Sequence, residues 1–273
     1  MTDHDFLRMF RLSHVIAGLI GICVFWIPVF AAKGGRLHVC FGRLFTWCAC
    51  YAGATGLLLS CWAIVHPPSF FGDPGLQSTR DADLPYQVEN ARFLYSITGF
   101  VALMVLAGTW FGVRLARTRG DHTRLRSPPL LAMLGTLGLW SLGLIGYGAH
   151  SLVASHAGAH LLAPAAAGRY WISIVLGIVG VYGVLGDLRY ILRPPATRWA
   201  WRYRHMECML GAGIGFHAAA SFFIAKELLH VRLGGAAQLA PMLLPVAVGV
   251  PVMWVWIARE ERRLEAADEG GRE

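Results

Sequence analysis

Charged residues are scarce in this chain: Asp, Glu, Lys and Arg together make up 15% of its 273 residues. Hydrophobic residues make up 56%, and the mean hydropathy is +0.51. Soluble globular domains carry roughly a quarter charged residues, so this composition excludes that class. The chain also lacks a polar stretch long enough for a sizeable soluble domain. We therefore predict one membrane-embedded domain over residues 1–273, with the lipid bilayer as its surroundings.

A disulfide framework is also missing, although the chain has six cysteines. Five of them lie within or at the ends of apolar segments, and we place Cys40 in a short turn between two segments. A free cysteine in an apolar segment behaves as a small hydrophobic residue. We expect reduced, buried thiols.

Seven apolar segments divide the chain, each close to the roughly 20 residues that cross a bilayer core. They cover residues 12–32, 44–65, 93–115, 130–152, 170–192, 207–229 and 239–258. A longer loop, 66–90, separates the second and third segments, and it could fold over the bundle as a lid or simply connect two helices. A charged tail follows from residue 259 to 273. The pattern predicts an all-α fold, a polytopic membrane bundle of seven transmembrane helices.

Most of the 24 Lys and Arg residues fall on one side of this alternating topology. They lie in the loops after the first, third and fifth segments and in the C-terminal tail. Loops rich in Lys and Arg stay in the cytoplasm. This predicts a bacterial inner-membrane protein with its N-terminus outside and its C-terminus in the cytoplasm. The topology also explains the net charge of +8 without a nucleic-acid partner.

Glycines recur at close intervals in three of the segments. Helices in lipid pack through such small residues, so we predict helix contact faces there, through which the chain could also form an oligomer. A cofactor pressed against the backbone would use the same faces. The glycines concerned are Gly135, Gly138, Gly143, Gly146, Gly148, Gly177, Gly180, Gly183, Gly186, Gly211, Gly213 and Gly215.

Four short motifs stand at the ends of segments. They are Ser13-His14, Gly34-Gly35-Arg36-Leu37-His38 followed by Gly42-Arg43, Asp187-Leu188-Arg189, and Arg204-His205-Met206 followed by Met209. On these motifs the chain resembles a family of bacterial predicted membrane proteins catalogued as domain of unknown function 2306. The resemblance covers the first, second, fifth and sixth segments. It implies a multi-pass fold and leaves the activity open.

Polar groups gather in a layer on the predicted cytoplasmic side. The layer holds His38, Arg43, Asp187, Arg189, His205 and Glu207. A lone carboxylate inside an apolar helix is costly, so a cation should accompany Asp187. We predict that Asp187 pairs with Arg189, Arg43 or protonated His205, and that His38 joins the cluster. The cluster is either a structural clasp or a site for a ligand or a proton.

Histidines in this layer also suggest a cofactor. His38 and His205 lie at equal depth on different segments, as the two axial ligands of a b-type haem do. His217 lies about 18 Å deeper than His205 at roughly 1.5 Å rise per residue. It points to a different side of the helix, which departs from a two-haem arrangement. His38, His205 and His217 are the candidate cofactor ligands.

A second group of histidines lies on the predicted outer side. His156 and His160 are one helical turn apart, a spacing that lets two imidazoles reach one metal ion. Further donors could come from His150, His66 or His14. Imidazole suits zinc and copper. These five histidines are the candidate metal ligands.

Three classes of function follow from these features. The first is a membrane redox protein that binds a metal or haem. The second is a carrier of a small molecule or of protons that uses the buried ionisable groups. The third is a sensory or structural protein without chemistry. Whether the protein is an enzyme stays open between them.

Overall fold

The computed structural model describes residues 3–67, 84–119, 121–156, 167–193, 197–231 and 235–270. Within these ranges the chain is helical and contains no strand. The α-helices are α1 Asp3–Phe30, α2 Arg36–Val65, α3 Leu84–Thr118, the single turn α4 His122–Leu125, α5 Pro128–His156, α6 Ala167–Leu192, α7 Ala200–Phe223 and α8 Ala240–Gly270. A π-helical turn, Ile224–Leu228, continues α7, and a 3-10 turn, Gly235–Leu239, leads into α8.

Seven of these helices, all except α4, are long and apolar enough to cross a membrane. The all-α fold with seven candidate spans is therefore confirmed. The predicted spans begin well after the helices do at four positions, because α1 begins at Asp3, α2 at Arg36, α3 at Leu84 and α7 at Ala200. An apolar run measures the part of a helix that suits hydrocarbon, whereas backbone hydrogen bonding continues into the polar flanks.

The helix α3 is the centre of the bundle. In its apolar stretch 61% of the residues are buried, against 17–33% in the other six spans. It packs against α2, α5 and α7, while α1 packs on α2, α6 on α5 and α8 on α7. The side chains of Ile97, Phe100, Phe111 and Leu115 on α3 are completely buried.

The outer faces of the surrounding helices are apolar. Phe30, Trp47, Leu139 and Tyr182 are each more than 70% exposed. Exposure of such an apolar surface to water is unfavourable, whereas the hydrocarbon of a bilayer solvates it. The surface supports a multi-pass membrane protein.

The bundle has two ends that are distinguished by their contacts. Lys33 lies over the ring of Trp256, Arg202 pairs with Glu260, and Arg126 donates to the carbonyl of Leu192. These contacts bring the loops after α1, α3 and α6 and the C-terminal part of α8 to one end, which we call the basic end. The opposite end, which holds the start of α1 and the end of α2, is the pocket end.

The glycine rows form helix contacts only in part. A Cβ at Gly177 would lie 2.5 Å from the carbonyl oxygen of Ser141 on α5, and one at Gly180 would lie 2.3 Å from the Ser141 hydroxyl. At Gly183 a Cβ would meet nothing within 4 Å. The same open space surrounds Gly135, Gly143, Gly146 and Gly211, so these glycines make no close helix contact within the described part of the chain, and contact through them in an oligomer stays a prediction.

All six cysteines are free. The expectation of buried thiols is wrong for Cys23, Cys40 and Cys61, which are exposed on the surface of the bundle. Cys40 lies in α2 and not in a turn, because α2 begins at Arg36.

Candidate functional site

A cavity of about 650 Å³ lies between α1, α2, α3 and α7. Its walls are mostly apolar and include Val15, Leu19, Ile22, Val101, Val105, Phe216 and Phe223. Small-molecule sites typically enclose roughly 300–1,000 Å³ and combine apolar walls with a few polar groups. The cavity therefore has the size and the lining of a ligand site.

The polar lining residues are Arg11, His14, Ser60, Tyr95 and Thr98. All five lie on the parts of α1, α2 and α3 that are nearest the pocket end. Hydrogen bonds hold three of them in place: His14 Nδ1 lies 2.9 Å from Thr55 Oγ1, and Ser60 Oγ lies 3.2 Å from Thr98 Oγ1. The cavity is thus polar at one end and apolar along its walls.

The rim of the cavity is apolar and open to the side. Val15 and Leu19 on α1 are 50% and 53% exposed, and Leu228 on the π-helical turn is 71% exposed. All three line the cavity. Since π-turns inside helices are frequent at functional sites, the turn at Ile224–Leu228 is a second indication of a site here. The opening between α1 and the end of α7 faces the surroundings of the bundle.

Glycines make the room at the polar end. Gly18 lines the cavity, and a Cβ there would meet nothing within 4 Å. Gly56 on α2 faces the imidazole, since its Cβ would lie 3.1 Å from His14 Cε1. A side chain at Gly56 would press on His14, whereas one at Gly18 would extend into empty space.

A separate ionic cluster lies at the basic end. Arg204 on α7 lies 2.5 Å from Asp187 on α6, and its second terminal nitrogen pairs with Glu207 one turn further along α7. The side chains of Arg204 and Asp187 are only 20% and 16% exposed. The cation that offsets the buried carboxylate is therefore Arg204.

Two arginines that were predicted to belong to this cluster do not belong to it. Asp187 does accompany a cation, and Glu207 belongs to the cluster. Arg43 and Arg189 are exposed, however, and neither pairs with Asp187 in the part of the chain that the structure describes. Arg189 lies two residues from Asp187, so its side chain leaves a different face of the helix, and the long side chain of Arg204 reaches across instead.

His38 and His205 bond elsewhere. His38 Nδ1 donates to the carbonyl of Pro28 at 3.0 Å, and His205 Nδ1 donates to the carbonyl of Gly112 at 2.7 Å. His38 thus joins α2 to α1, and His205 joins α7 to α3. Neither histidine bonds to Asp187.

Lys33 caps the end of α1. Its Nζ donates to the carbonyls of Val29 at 2.6 Å and Pro28 at 3.1 Å, which have no partner inside the helix. Burial lowers the pKa of Lys33, the carboxylate of Glu260 opposes that effect, and Arg202 adds to it. A cation at this position also complements the negative end of the helix dipole.

The three candidate haem ligands share one feature. His38, His205 and His217 each place Nδ1 on a backbone carbonyl, for His217 that of Gly213 at 2.8 Å. A carbonyl only accepts, so Nδ1 carries a proton, and in a neutral imidazole Nε2 would then keep its lone pair, as in histidines that bind metals. His217 packs against the rings of Phe25 and Trp26, apart from the other two.

The predicted metal site is not assembled from the histidines that the structure describes. His14 faces the cavity, His66 packs on Trp62 at the end of α2, and His150 is exposed on α5. Among the described residues no group of three or more His, Cys, Asp or Glu side chains could hold a metal ion. His160, the side chain of His156 and most of the predicted lid, 68–83, lie outside the described residues.

Comparison of the chain with protein-family models, with curated proteins and with solved structures gave no match. The resemblance described above therefore stays a prediction.

Several residues of the site cannot be identified from the sequence alone. Ser60 and Thr98 sit singly in apolar segments, and nothing in their spacing shows that they meet. Arg204 belongs to the motif Arg204-His205-Met206, but a flexible side chain has no preferred partner until the fold is known. The signal that could have found them is a polar residue within a span, which is costly unless it serves a site.

Proposed function

We propose that this protein binds a small amphiphilic molecule inside the membrane, as a carrier of such molecules. The observation that supports this proposal best is the cavity of about 650 Å³ with polar groups at one end and apolar walls. A molecule with a polar head and a hydrocarbon tail matches both parts. We retain the orientation with the N-terminus outside in a bacterial inner membrane, which would place His14 in the outer half of the bilayer.

Entry from the bilayer fits the open side of the cavity. The exposed rim residues Val15, Leu19 and Leu228 are apolar, so a ligand crossing the rim leaves one hydrocarbon environment for another. A water-soluble ligand would have to cross the same apolar rim after losing its hydration. The rim therefore favours lipid-like ligands over soluble metabolites.

Two phenylalanine variants test the proposal. Gly18→Phe fills the cavity, whereas Gly143→Phe adds the same side chain on α5, where a Cβ also meets nothing within 4 Å. Binding of oleyl alcohol to detergent-purified protein is measured by native mass spectrometry. The parent and Gly143→Phe should bind it, and Gly18→Phe should not. Equal binding to both variants would exclude the cavity as the site.

A second candidate function is electron transfer through a b-type haem. The supporting observation is that His38 and His205 both place Nδ1 on a backbone carbonyl, which would leave Nε2 of a neutral imidazole as the ligand atom. Two neutral imidazoles are the axial ligands of such a haem. A Soret band in protein produced with haem supply, lost in His38→Ala and kept in His150→Ala, would support this function. Absence of the band after haem reconstitution would exclude it.

A further inference from the structure

The polar groups of the cavity differ in whether their role in a hydrogen bond is fixed. The hydroxyls of Ser60 and Thr98 can donate or accept, and the imidazole of His14 can do either, depending on its tautomer. A guanidinium only donates, because it has five N–H groups, no acceptor and a charge that it keeps at physiological pH. Arg11 is therefore the lining group that decides which head groups this end can bind.

Arg11 also sets the charge of the polar end. Among the lining residues that the structure describes, Arg11 carries a permanent charge and none is a carboxylate. An ammonium head would meet a like charge here, whereas a carboxylate or phosphate head would meet an opposite one. Both effects are larger between apolar walls than in water, because the dielectric constant there is lower. The lining thus favours an anionic head group.

The position of Arg11 along α1 suits the head of a membrane amphiphile. Arg11 lies one helical turn after Leu7, where the first candidate span begins, and so about 6 Å into that span. This depth is close to the surface of a membrane that the span crosses. His14 follows one turn later on the same face of α1, and the apolar lining residues Leu19 and Ile22 lie deeper still. A head group at Arg11 thus leaves its tail beside the apolar walls.

Arg11 can bind a ligand and keep its own contact within the protein. It has such a contact. Its five N–H groups exceed what one partner takes, and a carboxylate or phosphate binds two of them side by side. The hydroxyl of Ser60 can turn to donate to another oxygen of the same head. The polar end therefore offers an anion several donors at once.

We propose that the ligand of this cavity is an anionic amphiphile whose carboxylate or phosphate head is bound by Arg11. The head lies beside Arg11 and His14, and the tail lies along Leu19, Ile22 and Phe216 toward the open rim. This inference rests on the proposed function, because it assigns the chemistry of the same cavity. It goes beyond it by naming the charge of the head and the residue that recognises it.

Four probes with the same tail test the charge of the head: oleate, oleyl phosphate, methyl oleate and oleylamine. Their binding to the parent protein, purified in a non-ionic detergent, is measured by native mass spectrometry at neutral pH. Oleate should bind about tenfold more tightly than methyl oleate, which keeps both oxygens but carries no charge. Oleylamine should bind more weakly than the ester. The tighter of the two anions shows whether the head is a carboxylate or a phosphate.

Substitution of the cation then locates the effect. Arg11→Gln should remove the preference for oleate over methyl oleate, and Arg11→Lys, which keeps the charge, should retain most of it. Arg8→Gln is the matched control, because Arg8 is exposed on the same helix and is not among the lining residues. It should leave the preference unchanged. Melting temperatures of the three variants show whether they are folded, and the comparison of probes on the parent decides the charge of the head without any substitution.

The outcomes separate this inference from the proposed function. If Gly18→Phe abolishes binding but the anions and the ester bind equally to the parent, the inference is wrong and the cavity function stands. A preference for oleate that Arg11→Gln retains, or tighter binding of oleylamine than of oleate, would also overturn the inference. If Gly18→Phe binds all four probes as the parent does, the proposed function itself fails.

Discussion

Arg204 on α7 reaches across to Asp187 on α6, with 2.5 Å between the guanidinium nitrogen and the carboxylate oxygen. The contact joins two helices that follow each other in the chain, and Glu207 accepts from the other terminal nitrogen. One cation therefore serves two carboxylates in a mostly buried position.

Arg204→Gln should destabilise the protein strongly, because it leaves Asp187 and Glu207 without their cation. Removing one partner of a buried ion pair typically costs about 3–5 kcal/mol. Arg189→Gln is the matched control on the exposed face of α6 and should change the stability by less than about 0.5 kcal/mol. Thermal unfolding in detergent measures both. A larger effect of Arg189→Gln would favour the pairing predicted from sequence.

Asp187→Asn distinguishes a clasp from a ligand or proton site in this cluster. Arg204 keeps Glu207 as a partner in this variant, so a clasp predicts a smaller loss of stability than Arg204→Gln causes. A site predicts an unchanged melting temperature together with lost binding or transport. The two measurements are made on the same purified variant.

Gly180→Ala and Gly183→Ala should change the stability in opposite directions. At Gly180 a Cβ would lie 2.3 Å from Ser141 Oγ and 2.6 Å from a ring carbon of Phe100, and overpacking of this kind costs about 1–3 kcal/mol. At Gly183 the space is open, so alanine should stabilise the helix by up to about 1 kcal/mol. Melting temperatures of the two variants test this. Equal melting temperatures would contradict the packing of α5 on α6.

Asp121→Ala should lower the stability at neutral pH but not in acid. Asp121 precedes α4 and accepts from the Thr123 hydroxyl at 2.6 Å and from the amides of Thr123 and Arg124. The hydrogen bond from the Thr123 side chain is the main cause that lowers the pKa of Asp121 below its ordinary value of 3.8, and the two amides add to it. A lowered pKa stabilises the fold above the unfolded value, and this stabilisation is lost as the pH falls through the folded value.

The difference in melting temperature between the parent and Asp121→Ala should therefore be constant well above pH 3.8 and should disappear in stronger acid. Thr123→Val removes the main donor and should shift this loss to a higher pH. A difference that does not depend on pH would show that the carboxylate charge has no part in the cap.

Cysteine labelling tests the proposed orientation. In a variant without the native cysteines, Asp5→Cys and Arg198→Cys introduce thiols at exposed positions of the two ends of the bundle. With the N-terminus outside, an impermeant maleimide should label position 5 in intact cells, and position 198 only after the membrane is opened. The reverse pattern would invert the topology.

Much of the fold follows from the sequence alone. A bilayer requires about 20 apolar residues for each crossing, and this requirement is local, so the seven spans are visible as seven apolar runs. The need of Asp187 for a cation is equally local, because burial makes a lone carboxylate costly wherever it occurs. The ends of helices are harder to predict from the sequence. The first turns of α2 and α7 contain basic residues, and neither composition nor hydropathy distinguishes such a helical turn from a loop.

Only the tertiary structure decided which polar groups meet. Arg204 rather than Arg189 pairs with Asp187 because helix rotation and the reach of a long side chain set the partner, and neither can be read from spacing in the chain. The cavity depends on the same relationships, since His14, Ser60 and Thr98 come from three different helices. Apolar runs determine that helices form and cross the membrane; close packing of small and large residues between helices determines which faces touch and where space is left.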